Sequence, residues 1–138
     1  MNNYELTVLG APVAFSRPRW NSKTRQVFNE NNYSVYKGKV RGHAARMTSG
    51  LLDGPLEAEI DFYLPIPESW TKKRKENARS GLELPTKKPD VDNYAKSIFD
   101  ACNEVFYKDD SQIVRVTARK WYSDEPRIEF RVRQIDAS

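Results

Sequence analysis

The chain has 138 residues, of which 38% are apolar and 30% charged, and its mean hydropathy is −0.78. This length fits a single domain, 1–138, and the three Trp, seven Tyr and six Phe residues exclude a disordered chain. Cys102 is the only cysteine, which excludes an intrachain disulfide and a cysteine-based zinc site. We find neither a signal peptide nor an apolar run of membrane-spanning length, so we expect a soluble, cytoplasmic protein with no membrane partner.

The charge is unevenly distributed along the chain. Lys and Arg total 23 against 19 Asp and Glu, a formal net charge of +4. Basic runs lie at 16–25, 36–46 and 72–88, and an acidic cluster with six Asp or Glu residues follows at 90–110. This pattern suits a metal-dependent enzyme that acts on a polyanion, because a basic surface binds phosphates while an acidic pocket within it binds cations. Any one run alone is more typical of a solvated surface.

The first elements in chain order are a strand and a basic segment. Tyr4 to Leu9 predicts a strand, which ends at Gly10 and Pro12. The segment from 16 to 30 interleaves aromatic side chains with basic ones, a pattern that can stack on bases and neutralise phosphates. The aromatic side chains are equally expected in the core. The candidate DNA-binding residues here are Arg17, Arg19, Lys23 and Arg25.

A helix and a strand follow in the middle of the chain. Apolar residues recur at helical spacing between about Tyr33 and Leu51. Leu56 to Leu64 alternates strictly and predicts a half-buried strand. Glu59 and Asp61 on its other face are expected to face solvent, the more common case, or else a site. The run at 68–78 predicts a short, exposed basic helix. The candidate DNA-binding residues of the third basic run are Lys72, Lys73, Arg74, Lys87 and Lys88.

The segment after Pro89 carries the most informative pattern. Val91, Ala95, Ile98, Cys102 and Val105 form one apolar stripe of a helix of about fifteen residues. Acidic and amide side chains lie on the neighbouring face, with a lysine among them: Asp92, Lys96, Asp100 and Asn103. A turn follows, and two further strands are predicted at 113–122 and 127–133.

The acids around this helix suggest a metal-binding nuclease site. Asp90 and Asp92 at the helix entrance can converge on one cation, and Mg²⁺ prefers such oxygen ligands. Asp110, brought back by the turn after the helix, would complete the site, with Asp109 beside it. Lys96 would contact the scissile phosphate or polarise the nucleophilic water. The ordinary alternative is an N-terminal cap plus an Asp92–Lys96 ion pair worth about 0.2–0.5 kcal/mol.

A continuous string of residues resembles a known motif. It runs Asp90-Val-Asp92-Asn93-Tyr-Ala-Lys96, continues to Phe99-Asp100-Ala101, and ends with Asp109-Asp110-Ser-Gln-Ile-Val. This order of two acids, an amide, a lysine and a distal acid pair resembles the RusA family of Holliday-junction resolvases, endonucleases of phages and prophages. The N-terminal strand followed by Arg17-Pro18-Arg19 is similar to versions of the same family.

The resemblance implies a fold, an activity and a set of site residues. It implies a small α/β homodimer that depends on Mg²⁺ or Mn²⁺ and nicks four-way DNA junctions symmetrically. With the elements above, we expect an α/β (α+β) domain with a mixed sheet of about four strands and two main helices. By the matched positions, the essential residues would be Asp90, Asp92, Asp110 and Lys96, and Asp100 and Asp109 match with less defined roles.

Two other functions remain open at this level. One is a non-catalytic, structure-selective nucleic-acid-binding module in which the aspartates only cap a helix. The other is a nuclease that prefers flaps or other branched DNA and uses the same residues.

Overall fold

The computed structural model describes residues 2–16, 19–21, 26–28 and 31–135. Its strands are β1 (Asn3–Leu9), β2 (Arg19–Asn21), β3 (Gln26–Phe28), β4 (Leu56–Pro65), β5 (Ile113–Ser123) and β6 (Arg127–Gln134). Its helices are α1 (Asn31–Met47), α2 (Lys72–Arg79) and α3 (Val91–Ala101), and a short 3-10 helix, Asp110–Gln112, precedes β5. No described helix has the length and apolar content that crossing a membrane requires.

Four of the strands form one mixed sheet. Their order is β1-β6-β4-β5, in which β4 and β5 are parallel and the other neighbours are antiparallel. Parallel neighbours need a long crossover, and here the chain makes it through α2 and α3. The expected α/β (α+β) class with a four-stranded mixed sheet is confirmed. The short β2 and β3 pair separately as an antiparallel hairpin.

The core lies between one face of the sheet and helices α1 and α3. Alternation in β4 places Ala58, Ile60 and Phe62 on the buried face, as the sequence pattern predicts. From α3 the predicted stripe contributes Ala95 and Ile98. Burial of these apolar side chains fixes which face of each helix turns outward.

Both main helices end earlier than the sequence pattern predicts. α1 stops at Met47, and Leu51 is exposed instead of extending the stripe. α3 has 11 residues instead of about fifteen. The chain reverses after α3 through Glu104, whose φ of 64° is left-handed, and this reversal returns Phe106 and Tyr107 to the core as fully buried side chains. Packing of these aromatic residues in the core therefore ends α3 earlier than its apolar spacing predicts.

Asp61 is buried, contrary to the expectation that the acids of β4 face solvent. Its side chain accepts hydrogen bonds from Trp121 Nε1 at 2.8 Å, Arg131 at 2.7 Å and Arg119 at 3.1 Å. Burial alone would raise the pKa of Asp61, but these donors outweigh it and hold the pKa below its usual value of 3.8. The neighbouring strands thus supply the partners that make a buried carboxylate tolerable.

We expect Asp61→Asn to destabilise the protein by about 1–3 kcal/mol at pH 7, because it removes the charge that the two arginines neutralise. The folded pKa of Asp61 is lowered, so its contribution to stability is full above pH 3.8 and is lost as the pH falls through the folded pKa. Urea unfolding at pH 7 and pH 3 measures the difference. Asp53→Asn, at an exposed position, is the control, and a cost of Asp61→Asn that is the same at both pH values would contradict the assignment.

Candidate active site

The start of α3 presents two aspartates to solvent. Asp90 occupies the N-cap position with extended backbone angles, yet its side chain makes no capping hydrogen bond. Asp92 follows in the first turn, and both residues are exposed. The usual reason for an acid at this position, capping of the helix, is therefore not realised by Asp90. Its carboxylate oxygens remain available for another ligand.

Lys96 lies one helical turn beyond Asp92 on the same exposed face. No ion pair joins these two described side chains, so the ordinary helix pair is not formed. The Lys96 ammonium instead lies 4.3 Å from the centre of the Phe15 ring, a cation–π contact. Phe15 is held there because its backbone N–H donates to the Asn93 carbonyl at 3.0 Å. The loop after β1 thereby positions the lysine.

Asp100 links the last turn of α3 to α1. It accepts a hydrogen bond from the Tyr33 hydroxyl at 2.7 Å and an ion pair from Lys37 at 2.9 Å. Partial burial opposes ionisation of Asp100, but Lys37 and Tyr33 outweigh burial and keep its pKa below the usual value, with a further contribution from Lys96. Asp100 therefore holds two helices together in addition to matching the motif.

Asp109 and Asp110 have different surroundings although they are adjacent. The Asp109 carboxylate accepts the Ser111 N–H at 3.0 Å and caps the short 3-10 helix. The Asp110 backbone N–H donates to Asn103 Oδ1 at 2.9 Å, which fixes it beyond the C-terminal end of α3. Partial burial, together with the negative charges of Asp109 and Asp100, raises the pKa of Asp110, and Lys96 opposes this shift.

One chain does not bring the predicted acids together. A helix rises about 1.5 Å per residue, so Asp92 and Asp100 are separated by about 12 Å of α3. Asp110 is hydrogen-bonded to Asn103, just after the end of this helix. Across residues 2–16, 19–21, 26–28 and 31–135, no three His, Cys, Asp or Glu side chains group closely enough to hold a metal ion. The structure thus places Asp90 and Asp92 at one end of α3 and Asp110 at the other. Lys96 lies between the two ends.

Lys120 positions the approach to the helix, a role that the sequence pattern did not predict. This residue of β5 donates from Nζ to the carbonyl oxygens of Lys87 at 3.0 Å and Pro89 at 3.1 Å. Pro89 directly precedes Asp90, so β5 and the start of α3 are tied together at this point. No local signal marks the contact, because residues 87 and 120 are 33 positions apart in the chain.

The candidate DNA-binding residues fall into three groups. Exposed lysines lie on α2 and on the loop before α3: Lys72, Lys73, Lys87 and Lys88. Arg74, in contrast, has partners within the chain, because it donates to both carboxylate oxygens of Glu83 and stacks 3.6 Å from the Trp70 ring centre. Arg17, Lys23 and Arg25 lie outside the described residues, and for Arg19 only the backbone, in β2, is described.

The sheet face opposite the helices is electrically balanced. Cross-strand pairing places five acids and five arginines on it: Glu5, Glu57, Glu59, Asp61 and Glu129 with Arg115, Arg119, Arg127, Arg131 and Arg133. Ion pairs join Arg131 to both Glu59 and Asp61, at 3.0 and 2.7 Å. A neutral face with paired arginines does not supply the uncompensated positive charge that binding to a phosphate backbone needs. The exposed lysines of α2 and residues 87–88 supply it instead.

The carboxylates at the start of α3 suit a hard divalent cation. Mg²⁺ binds in proteins through one or two carboxylates and keeps several water ligands. Asp90 and Asp92 are exposed, and the Asp90 oxygens are not engaged in capping the helix. This donor set fits such an ion, and Asp110 would add a third carboxylate only from the opposite end of a helix.

Comparison with known proteins gives a consistent family. The family model described as Endodeoxyribonuclease RusA matches residues 10–133. Protein YqaN of Bacillus subtilis (strain 168) is 39% identical over 144 aligned residues, which cover 99% of this chain and 100% of YqaN. The crossover junction endodeoxyribonuclease rusA of Lactococcus phage r1t is 32% identical over 82 residues, which cover 59% of this chain and 56% of the phage protein.

Replacing Lys96 by Met should raise the pKa of both Asp100 and Asp110 in metal-free buffer, because the Lys96 charge lowers each of them. Carbon-detected NMR titration of the carboxyl groups measures both values. The control is Lys39→Met, since Lys39 donates to the Leu9 carbonyl and not to this cluster. Unchanged pKa values for both aspartates in Lys96→Met would contradict the position of Lys96 between the two ends of α3.

Proposed function

This chain belongs to the RusA family of endodeoxyribonucleases, and we propose that it resolves four-way (Holliday) DNA junctions by paired, symmetric nicks in a Mg²⁺- or Mn²⁺-dependent reaction. The relative from phage r1t, named a crossover junction endodeoxyribonuclease, supports the choice of substrate. One observation carries the catalytic role: Asp90 occupies the N-cap position without capping the helix, and its neighbour Asp92 lies one turn before Lys96.

The chemistry divides among the residues of α3. Asp90 and Asp92 would hold the divalent cation through carboxylate oxygens, and their exposure leaves room for water and a phosphate. A divalent ion held in this way neutralises phosphate oxygens and lowers the pKa of bound water. Lys96 would contact the non-bridging oxygen of the scissile phosphate, or orient the attacking water, from its position over the Phe15 ring. The Phe15 contact limits the freedom of the lysine side chain and so keeps it ready for either role.

Paired nicks call for two active sites, and we extend the proposal to a homodimer in which each site is composite. Among the described residues of one chain, Asp110 does not group with Asp90 and Asp92, because its backbone is tied to Asn103 at the other end of α3. In a two-fold dimer the start of α3 in one copy can meet Asp110 of the other, because a two-fold axis makes the contact reciprocal. Each dimer then holds two equivalent sites, one for each strand that must be cut.

Exposed valines beside Asp110 favour such a contact. Val114 and Val116, at the start of the edge strand β5, are 61% and 50% exposed. They follow Asp110 closely in the chain, and Val116 pairs with Ala58, on the side of the sheet that faces the core. A second copy that approaches Asp110 would cover them, and removal of this apolar surface from water would stabilise the dimer.

We expect Asp90→Asn and Asp92→Asn each to lower the rate of junction cleavage on the order of 10³-fold, because each removes a cation-binding charge. Junction binding should persist, since the basic surface is unchanged. A labelled four-way junction incubated with and without Mg²⁺ measures both properties, and Asp53→Asn is the control. Full cleavage by either variant would refute the proposed site. Binding by the unaltered protein without any metal-dependent product would indicate a non-catalytic module.

Lys96→Ala should slow cleavage by about 10²- to 10³-fold. It should change the free energy of unfolding by no more than about 1 kcal/mol, because the exposed side chain has no ion-pair partner on α3 and loses only its cation–π contact with Phe15. Single-turnover cleavage and urea unfolding are the two measurements. A loss of stability in proportion to the loss of rate would mean that Lys96 serves the fold instead of the reaction.

A further inference from the structure

The segment from Lys72 to Lys88, which we name the basic lobe, comprises α2 and the loop that leads to α3. It contains seven basic and two acidic residues, a formal net charge of +5, which exceeds the +4 of the whole chain. The remainder of the protein is therefore close to neutral, in agreement with the balanced sheet face. The basic lobe is therefore the most positive segment of the described residues and a strong source of attraction for a polyanion.

The arginines of the basic lobe stabilise its own structure. Arg74 forms a forked ion pair with Glu83, at 2.8 Å, across the loop. Arg79 pairs at 2.6 Å with Asp124, in the turn between β5 and β6. The Asn77 carbonyl accepts two backbone N–H groups of the loop, from Leu82 at 2.9 Å and Glu83 at 3.1 Å. Several independent contacts thus fix the loop, whereas the exposed lysines of the basic lobe are available to bind another molecule.

Leu82 stands at the tip of this braced loop. It is 80% exposed, the highest value among the large hydrophobic side chains of the described residues, and Leu84 nearby is 47% exposed. The backbone N–H groups at the tip are satisfied, so the side chain projects from a fixed base. A leucine presented in this way among lysines combines an apolar tip with phosphate-binding charge.

We propose that Leu82 is an apolar wedge that covers the exposed base pairs at the branch point of the DNA, while the lysines of the basic lobe hold the flanking phosphates. Leucine is one of the side chains that proteins insert between base steps. Base pairs within a linear duplex are stacked on both sides, but those at the crossover of an open, unstacked junction have one accessible apolar face. This role for Leu82 rests on the proposed function, because the wedge would be the feature by which the enzyme selects branched DNA.

The position of the lobe fits this role. Its last residues, Lys87 and Lys88, precede the Asp90 site directly, and the Lys120 contacts fix that connection to β5. Only seven residues lie between Leu82 and Asp90. If Leu82 covers the branch point, its distance from Asp90 and Asp92 would determine which phosphate of the strand lies at these aspartates.

The test compares Leu82→Ser with Leu9→Ser, a matched change at a leucine that is 63% exposed on β1, away from the basic lobe. Both proteins bind, in EDTA, a four-way junction with 2-aminopurine at the branch point and a linear duplex of equal length. We expect the unaltered protein and Leu9→Ser to raise the 2-aminopurine fluorescence. Leu82→Ser should lose this signal and about tenfold in junction affinity, the effect of re-exposing one leucine side chain, with less than a twofold change for the duplex.

The outcomes separate this inference from the proposed function. Retained fluorescence and junction preference in Leu82→Ser would overturn the wedge while leaving junction cleavage by the unaltered protein intact. A smaller sedimentation coefficient for Leu82→Ser would also overturn it, since Leu82 would then contact a second copy of the chain. Failure of the unaltered protein to cleave junctions would refute the proposed function itself.

The lysines provide an independent measurement. The double variant Lys72→Ala and Lys73→Ala should weaken binding to junction and duplex alike. It should reduce the slope of log affinity against log salt by about 2, because each phosphate contact contributes about 0.9. An unchanged salt slope would place the basic lobe away from the DNA and overturn the proposal.

Discussion

The burial of one stripe of α3 governs where the functional groups of this protein lie. Ala95 and Ile98 are packed into the core, which leaves Asp92 and Lys96 no orientation except outward. The length of the helix is set by the same packing, because the chain must reverse after Ala101 to return Phe106 and its neighbours to the core. This short, anchored helix holds the two acidic ends of the site at a fixed separation. In the proposed dimer, each of these ends would contribute to a site shared with the second copy.

The division of charge follows from the sheet. Alternation along the strands exposes a row of acids and arginines on one face, where they neutralise one another and bury Asp61. The excess positive charge is concentrated in the basic lobe, next to the start of α3. Both arginines of the basic lobe are engaged in ion pairs. Its affinity for DNA would therefore come from its lysines, which contact phosphates as mobile point charges. DNA cleavage and DNA binding would therefore occur on adjacent segments of the chain.

Local patterns predicted the parts of the fold that depend on neighbouring residues. The alternation of β4 and the apolar spacing of α3 were sufficient to predict both elements and the outward position of Lys96. Contacts between distant residues left no such pattern. The burial of Asp61 depends on Arg119 and Arg131, and the placement of the Asp90 segment depends on Lys120, all from strands far along the chain. The separation of Asp110 from Asp90 also depended on where α3 ends, which the core decides.

Complementation between two inactive variants tests most directly whether each active site combines residues of two chains. Asp92→Asn and Asp110→Asn chains, unfolded and refolded together, would form mixed dimers in which one site retains both natural aspartates and the other lacks both. If the sites are composite, we predict that each variant alone is inactive and that the mixed dimers regain single-strand nicking of a four-way junction. If both aspartates of a site came from one chain, every mixed dimer would lack an intact site, and the absence of nicking would contradict the account.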